Sequence, residues 1–302
     1  MRVTILTPAY NRAYIINRLY ESLKTQTYKN FEWLIIDDGS TDNTKELINK
    51  FIEENKISIR YVFQNNGGKH RALNKGLSMI KTEMTFIVDS DDYLTDNAIE
   101  VITKYYNKYK NNTSICGFSF LRCFPDMTIN GPKFKKDEYL SDYIECRLNE
   151  KVTGDKAEVY YTKCLKEFPF LEVDNEKFLF EDYVWIQMAE KYKTLHVNIP
   201  IYVGDYLEDG LTKNISKTKY NSPIGMMERA SVMCSKKCCN VVRIKAMIMY
   251  IGYGKIAKKK YKDLYKKCKY KFLFGISFLL GIVYYIKLIR ENKGEYEGKN
   301  YN

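Results

Sequence analysis

The chain has 302 residues, 45% of them hydrophobic and 28% charged, with 16 glycines and 6 prolines. That suits one large domain or a domain with an appendage, and it excludes a disulfide-stapled miniprotein, a collagen-like chain and a disordered one. The net charge of +12 is concentrated: from Lys236 to Lys271 there are thirteen basic residues and one acidic residue, Asp263, a local net of +12. The rest of the chain is neutral in sum, so a nucleic-acid-binding face on the main body lacks electrostatic support. The eight cysteines form no CxxC pair and the only histidines are His70 and His196, so neither a structural zinc site nor a secreted disulfide framework is expected. The apolar stretch before Pro8 is too short for a signal-peptide core, and a reducing, cytosolic compartment is the expectation.

In chain order, Val3–Thr7, Phe31–Asp37, Ile59–Gln64 and Met84–Asp89 are short runs rich in Ile, Val, Phe and Trp, each closed by polar or glycine residues. They read as buried strands. Between them, Tyr14–Thr25, Asp42–Glu54 and Lys69–Ile80 read as helices, with Ile15, Leu19 and Leu23 in register in the first and Leu47, Ile48 and Phe51 in the second. Ser40, Thr41 and Asp42 are N-cap candidates for the second helix. This alternation implies right-handed βαβ crossovers, an α/β fold and a mainly parallel sheet, with ligands beyond the carboxyl ends of the strands. Further on, Asp126–Lys136 reads as a loop, Phe178–Lys191 as a helix opening on Glu181-Asp182, and Leu195–Val203 as a strand. From about Ser216 the composition shifts to Lys, Tyr, Met and Cys, which predicts a boundary between residues 1–215 and a helical region over 216–302.

The predicted strand ends carry the chemistry. Asp89, Asp91 and Asp92 crowd three carboxylates into four residues, an arrangement that repels itself unless a cation such as Mg²⁺ or Mn²⁺ sits among them, and such cations favour carboxylates together with substrate phosphates. A solvated acidic turn is the plainer reading of that cluster alone. Asp37 and Asp38 close the second strand, where one carboxylate can accept hydrogen bonds from a base or ribose. Gly67-Gly68 permit close backbone approach, and Lys69, His70 and Arg71 put cationic or donor groups in the first turn of the third helix, where they oppose the macrodipole unless an anion binds.

Together these residues resemble family 2 glycosyltransferases. Thr7-Pro8-x-Tyr10-Asn11, Asp37-Asp38-Gly39-Ser40-Thr41-Asp42, Gly67-Gly68-Lys69-x-x-Ala72-x-Asn74-x-Gly76, Val88-Asp89-x-Asp91-Asp92 and Glu181-Asp182 occur in that family's order and approximate spacing, over roughly residues 1–215. The resemblance implies a GT-A fold, Rossmann-like with a mainly parallel sheet, followed by a basic helical C-terminal extension. It also implies an inverting, metal-assisted transferase that uses a nucleotide-diphospho-sugar, most often UDP-linked, with Mn²⁺ or Mg²⁺ as cofactor and a glycan or lipid-linked saccharide as acceptor. Carried over, Thr7, Pro8, Tyr10, Asp38, Gly68, Lys69, Arg71, Asp89 and Ser90 would bind the donor. Asp91 would ligate the metal with Asp92 as competitor, and Asp182 would be the general base, although an acidic residue at a helix N-terminus also has a purely electrostatic reading. Tyr206-Leu207-Glu208-Asp209-Gly210-Leu211-Thr212 resembles the family's closing loop over the diphosphate. A non-catalytic nucleotide-sugar-binding module and a nucleotidyltransferase are the competing readings.

The basic region has its own pattern. Phe272–Ile286 is a run of 15 uncharged, mostly apolar residues flanked by Lys269, Lys271, Lys287 and Arg290. As a helix it spans about 22 Å, short of a hydrocarbon core of ~30 Å. Val241–Ile256 is a second apolar segment, interrupted by Arg243 and Lys245. Short apolar helices beside basic clusters suit peripheral association of residues 236–290 with an anionic membrane, here the inner face of the plasma membrane. A helical hairpin packed on protein and a true span are the alternatives.

Overall fold

The structure, a computed structural model, describes residues 1–205 and 215–297. They form two compact units, one of Met1–Phe170 with Met188–Asp205 and one of Leu171–Gln187 with the described residues 215–297.

The first unit is built on a mixed nine-stranded sheet of order β3-β2-β1-β4-β8-β6-β9-β5, with β7 pairing to β9. Its parallel core comprises β1 (Val3–Ala9), β2 (Phe31–Asp37), β3 (Ile59–Phe63) and β4 (Met84–Ile87), in the register Leu6 opposite Leu34 and Ile87. Every residue of β1 and β2 is buried, as expected of strands covered on both faces. Helices α1 (Asn17–Lys24), α2 (Thr44–Glu54) and α3 (Lys69–Met79) make the crossovers. Tyr20 of α1 stacks on Phe51 of α2 with ring centroids 3.9 Å apart, above Trp33 of β2. Gly76 lets α3 lie against the sheet, because a Cβ there would run into Leu6.

The other half of the sheet is added largely antiparallel: β5 (Tyr93–Leu94), β6 (Ile115–Cys123), β7 (Tyr139–Ser141), β8 (Lys156–Tyr161) and β9 (Lys193–Val203), with α4 (Ala98–Tyr109), a single π-helical turn at Ile144–Asn149 and α5 (Thr162–Lys166). Strand β6 pairs with β9 in parallel through shifted registers.

The second unit is helical. After α6 (Asp182–Lys191), whose residues divide between the units at Gln187, come α7 (Ile215–Tyr220), α8 (Pro223–Met233), α9 (Asn240–Ile256), α10 (Tyr261–Lys267) and α11 (Lys271–Glu297). Met226, Met227 and Ala230 of α8 share one core with Ala246, Met247, Tyr250 and Ile251 of α9, Leu264 of α10, and Leu273, Phe274 and Leu288 of α11. Glycine allows close approach where Gly281 of α11 meets Ile251.

Some boundaries differ from those expected. Helix α6 starts at Asp182 instead of Phe178, because Phe178 and Phe180 pack against the second unit's core ahead of the helix. The apolar run over 272–286 is the middle of a longer helix of 27 residues, about 40 Å in length. The segment that resembles the family's closing loop lies outside the described residues.

Candidate active site

Four loops leave the carboxyl ends of β1, β2, β3 and β4 on one edge of the parallel core. The first two are stitched together: the Asn11 amide donates to Ser40 Oγ at 2.9 Å, the Thr41 amide to Asn11 Oδ1 at 2.8 Å, and the Arg12 amide to Thr44 Oγ1 at 2.9 Å. Ser40 and Thr41 therefore serve the loop before α1 and do not cap α2. That helix starts after Asn43, and Asp42 takes the Thr44 amide at 3.0 Å, so of the three N-cap candidates only Asp42 meets a helix amide. Against the desolvation of burial, the bonds Asp42 receives from Thr44 and Ala13 hold its carboxyl below the ordinary range.

Asp38 organises the third loop. It is buried, and its carboxylate accepts the amides of Gly67 and Gly68, both at 2.8 Å, the side-chain amide of Gln64 at 2.7 Å and that of Asn66 at 3.2 Å. Gly68 sits at φ 97°, a conformation open to glycine, immediately before α3. Asp37 accepts the Ser40 amide at 2.7 Å and the Tyr61 hydroxyl at 2.6 Å. Thr7 is buried with its hydroxyl accepting Trp33 Nε1 at 2.9 Å, Pro8 is buried beside it in β1, and Tyr10 is exposed just beyond the strand.

Lys69 opens α3 and its Nζ lies 2.5 Å from Asp89 Oδ1. The carboxylate relieves the conflict between a cation and the helix N-terminus. Against its own burial, Asp89 is held below the ordinary carboxylate range by the charge of Lys69. Arg71 is in the first turn of the same helix, and Ser90, between Asp89 and Asp91 in the chain, is buried.

One carboxylate oxygen from each of Asp89, Asp91 and Asp92 can lie within 4.8 Å of the others. Their surroundings differ. Asp92 is almost wholly enclosed, with Arg122 Nη2 3.1 Å from Oδ1 and the Tyr202 hydroxyl donating to Oδ2 at 2.8 Å. Burial and the charge of Asp89 push its carboxyl up to about 7 in spite of Arg122. Asp91 is half-buried with Arg12 Nη2 3.9 Å away, and burial together with repulsion from Asp89 raises its carboxyl too. The donor set fits a hard divalent cation: oxygen ligands, crowded negative charge, and in Asp91 a carboxylate whose ionised form a cation would favour.

Three partners of this cluster carry no motif of their own. Tyr202 of β9 accepts the Asp89 amide at 3.0 Å with the same hydroxyl that donates to Asp92. Arg122 of β6 bridges Asp92 and Asp155, the latter at 2.8 Å. Gly204 follows β9, where any Cβ would collide with Asp92 and Arg122. A Gly two residues after a Tyr at the end of an apolar strand was the available signal, and it is a weak one.

Asp182 lies in the second unit, at the first position of α6, with both carboxylate oxygens held by Arg229 of α8: Nε donates to Oδ1 at 2.6 Å and Nη2 pairs with Oδ2. Arg229 also lies over the Phe180 ring, 4.6 Å from its centroid. The clamp fixes the carboxylate plane.

Residues 4–142 match the family model for Glycosyl transferase family 2. The chain is 37% identical over 101 residues to the glycosyltransferase GlyG of Streptococcus pneumoniae, an alignment over 33% of each chain, so it spans about a third of that relative's length. It is 25% identical over 291 residues to the GalNAc(5)-diNAcBac-PP-undecaprenol beta-1,3-glucosyltransferase of Campylobacter jejuni, covering 90% of this chain and 88% of that one. Among solved structures it is similar to S. aureus TarS 1–349 in complex with UDP-GlcNAc, with a TM-score of 0.60 at 17% identity over 98% of this chain and 92% of that one. The shared architecture is the GT-A fold. Residues 4–142, the segment that holds the four loops of the sheet edge, match glycosyl transferase family 2, and the chain as a whole is similar to glycosyltransferases.

Proposed function

We propose that the protein is an inverting glycosyltransferase that moves a sugar from a UDP-sugar to a hydroxyl of a lipid-linked saccharide or envelope glycan at the cytoplasmic face of the plasma membrane. The observation that carries this reading is the carboxylate cluster at the end of β4, set against Lys69 and the Asp38-anchored glycine loop, inside a segment matched to a transferase family. Two relatives support the substrate classes: one is solved with UDP-GlcNAc, and another is named for an undecaprenol-linked acceptor.

Inversion needs a single in-line displacement, hence one base for the acceptor hydroxyl and a stabilised diphosphate leaving group, with no protein nucleophile. In this reading Asp182 takes the hydroxyl proton, and Arg229 keeps its plane fixed. Asp91 is the principal metal ligand, because both oxygens of Asp92 are engaged by Arg122 and Tyr202. A bound Mn²⁺ or Mg²⁺ supplies charge compensation for the departing diphosphate. Lys69 and Arg71 add positive charge at the start of α3, and the amides that Asp38 organises at Gly67 and Gly68 shape the floor beneath them. Thr7, Pro8, Tyr10, Asp89 and Ser90 complete the nucleoside-binding set.

A donor screen with Mn²⁺ that follows nucleotide release tests the proposal. Release of UDP from one UDP-sugar, lost in Asp91→Asn and in Asp182→Asn, is the expected result. Release of pyrophosphate would make it a nucleotidyltransferase. Tight UDP-sugar binding without turnover on any acceptor would make it a binding module.

A further inference from the structure

We infer that the outward face of α11 is a membrane-docking surface that lies in the plane of an anionic bilayer. Phe272, Ile276, Leu279, Leu280, Val283 and Ile286 are exposed, with Phe272 at 83%, Leu279 at 74% and Val283 at 62%. At 3.6 residues per turn these positions fall within an arc of about 120°. Soluble proteins seldom show water a contiguous row of six large apolar side chains.

The opposite side of the helix is committed. Leu273, Phe274 and Leu288 are buried in the core shared with α8 and α9, Gly281 meets Ile251, and the Tyr284 ring packs on Gly252 and Tyr253. A helix that crossed the bilayer would have to give up that packing or carry α9 into lipid with Arg243 and Lys245. The 22 residues from Lys271 to Asn292 are apolar enough for a span by composition, but one side of them already holds protein.

Charge selects the occupant of the free side. Lys258, Lys259, Lys260, Lys262, Lys266, Lys267, Lys269 and Lys271 are all exposed immediately before the apolar arc, with Asp263 the one acidic residue among them. Lys287 and Arg290 follow the arc on the same side, and with Lys287 paired to Glu291 at 3.6 Å that end adds a smaller positive charge to the lysine cluster at the other. Two copies of such a surface would bring like charges together, whereas anionic headgroups above an acyl layer match both the lysines and the apolar row. The inference adds a specific surface to the proposed location and is independent of the transfer reaction, because vesicle binding needs neither donor nor acceptor.

The test uses the full chain. Truncation before α9 would split the core that joins Met226, Met227 and Ala230 to Met247 and Ile251, so charge is placed on exposed positions instead. Full-length protein should sediment at low salt with vesicles of phosphatidylglycerol and phosphatidylcholine in a roughly 1:2 ratio, and with pure phosphatidylcholine vesicles far less. Leu279→Glu with Val283→Glu should weaken that partitioning about 100-fold, with an unchanged thermal melt and unchanged donor turnover. Raising the salt to about 0.5 M should release wild-type protein. Failure to sediment with anionic vesicles, equal partitioning of the double variant, or a dimer in solution that the double variant converts to monomer would each overturn the inference, the last in favour of a second copy on this face. Retention on membranes through salt and alkaline washes would overturn it in favour of a span.

Discussion

The two units use charge in opposite ways. At the sheet edge of the first unit, charged side chains face one another: Asp38 holds a loop, Lys69 meets Asp89, and Arg122 joins Asp92 to Asp155. In the second unit, the lysines of α10 and its flanking turns face solvent, beside an exposed apolar row on α11. Charge in the first unit fixes geometry at close range in partly buried surroundings, where each pair resists screening. Charge around α10 is displayed, unlike the enclosed Arg229–Asp182 pair of the same unit, which gives it reach and makes it sensitive to salt. An internal pair should therefore fail through loss of shape or chemistry when mutated, and a displayed charge through loss of a partner.

The largest expected effect separates two neighbouring carboxylates. Asp91→Asn should lower turnover by roughly 10²–10³ and leave the melting temperature nearly unchanged, because Asp91 is half-buried and 3.9 Å from its nearest cation. Asp92→Asn should spare turnover and change the pH dependence of stability instead: burial and Asp89 push this carboxyl up to about 7, so the variant's stability relative to wild type should rise as the pH goes from about 4 to 7. Paired calorimetry and steady-state kinetics decide this. If Asp92→Asn abolished turnover at full stability while Asp91→Asn did not, the ligand assignment would be exchanged.

A smaller effect is expected at the clamp in the second unit. Arg229→Gln removes the bidentate hold on Asp182; under the proposed base role it should lower kcat about tenfold at unchanged donor KM, because a loosely held carboxylate would spend less time in line with the acceptor. A rise in kcat would show that Arg229 restrains the base instead of orienting it.

How much of this was legible in the sequence follows from how far each signal reaches along the chain. The strands β1 to β4 and helices α1 to α3 announce themselves because each is a local apolar pattern closed by a polar loop; Asp38, Asp89 and Asp91 stand where such loops begin and Lys69 where one ends. The second part Asp38 plays, as anchor of the third loop, was not legible: it depends on amides about thirty residues away, at Gly67 and Gly68. Arg122, Tyr202 and Gly204 were missed for the same reason, since they reach Asp92 only after β6 and β9 have been added to the sheet. The added strands lack the helix-strand alternation that marks the first half. In the tail the composition showed a basic, apolar region, but which side of α11 stays exposed depends on its packing against α9.

The smallest expected effect concerns His196, a buried group in the first unit that belongs to neither pattern of charge. It sits in β9 between the rings of Phe134 and Tyr139, with centroids 4.8 and 5.8 Å away, and neither ring nitrogen has a hydrogen-bond partner. Burial, reinforced by the positive charge of Arg147 and only partly offset by Glu150, lowers its pKa to about 3. The folded protein therefore keeps His196 neutral at a pH where the unfolded chain, with an ordinary value near 6.5, has already bound a proton. Between those limits the unfolded state holds the extra proton, so His196 costs stability increasingly as the pH falls, by up to about 1.4 kcal/mol per pH unit. His196→Leu removes that dependence and leaves the carboxylates in place. Its stability relative to wild type should rise steadily from pH 6.5 to pH 4 in denaturant titrations and be flat above pH 7. A difference that stayed constant across the whole range would show that His196 takes up its proton in the folded state at the same pH as in the unfolded chain.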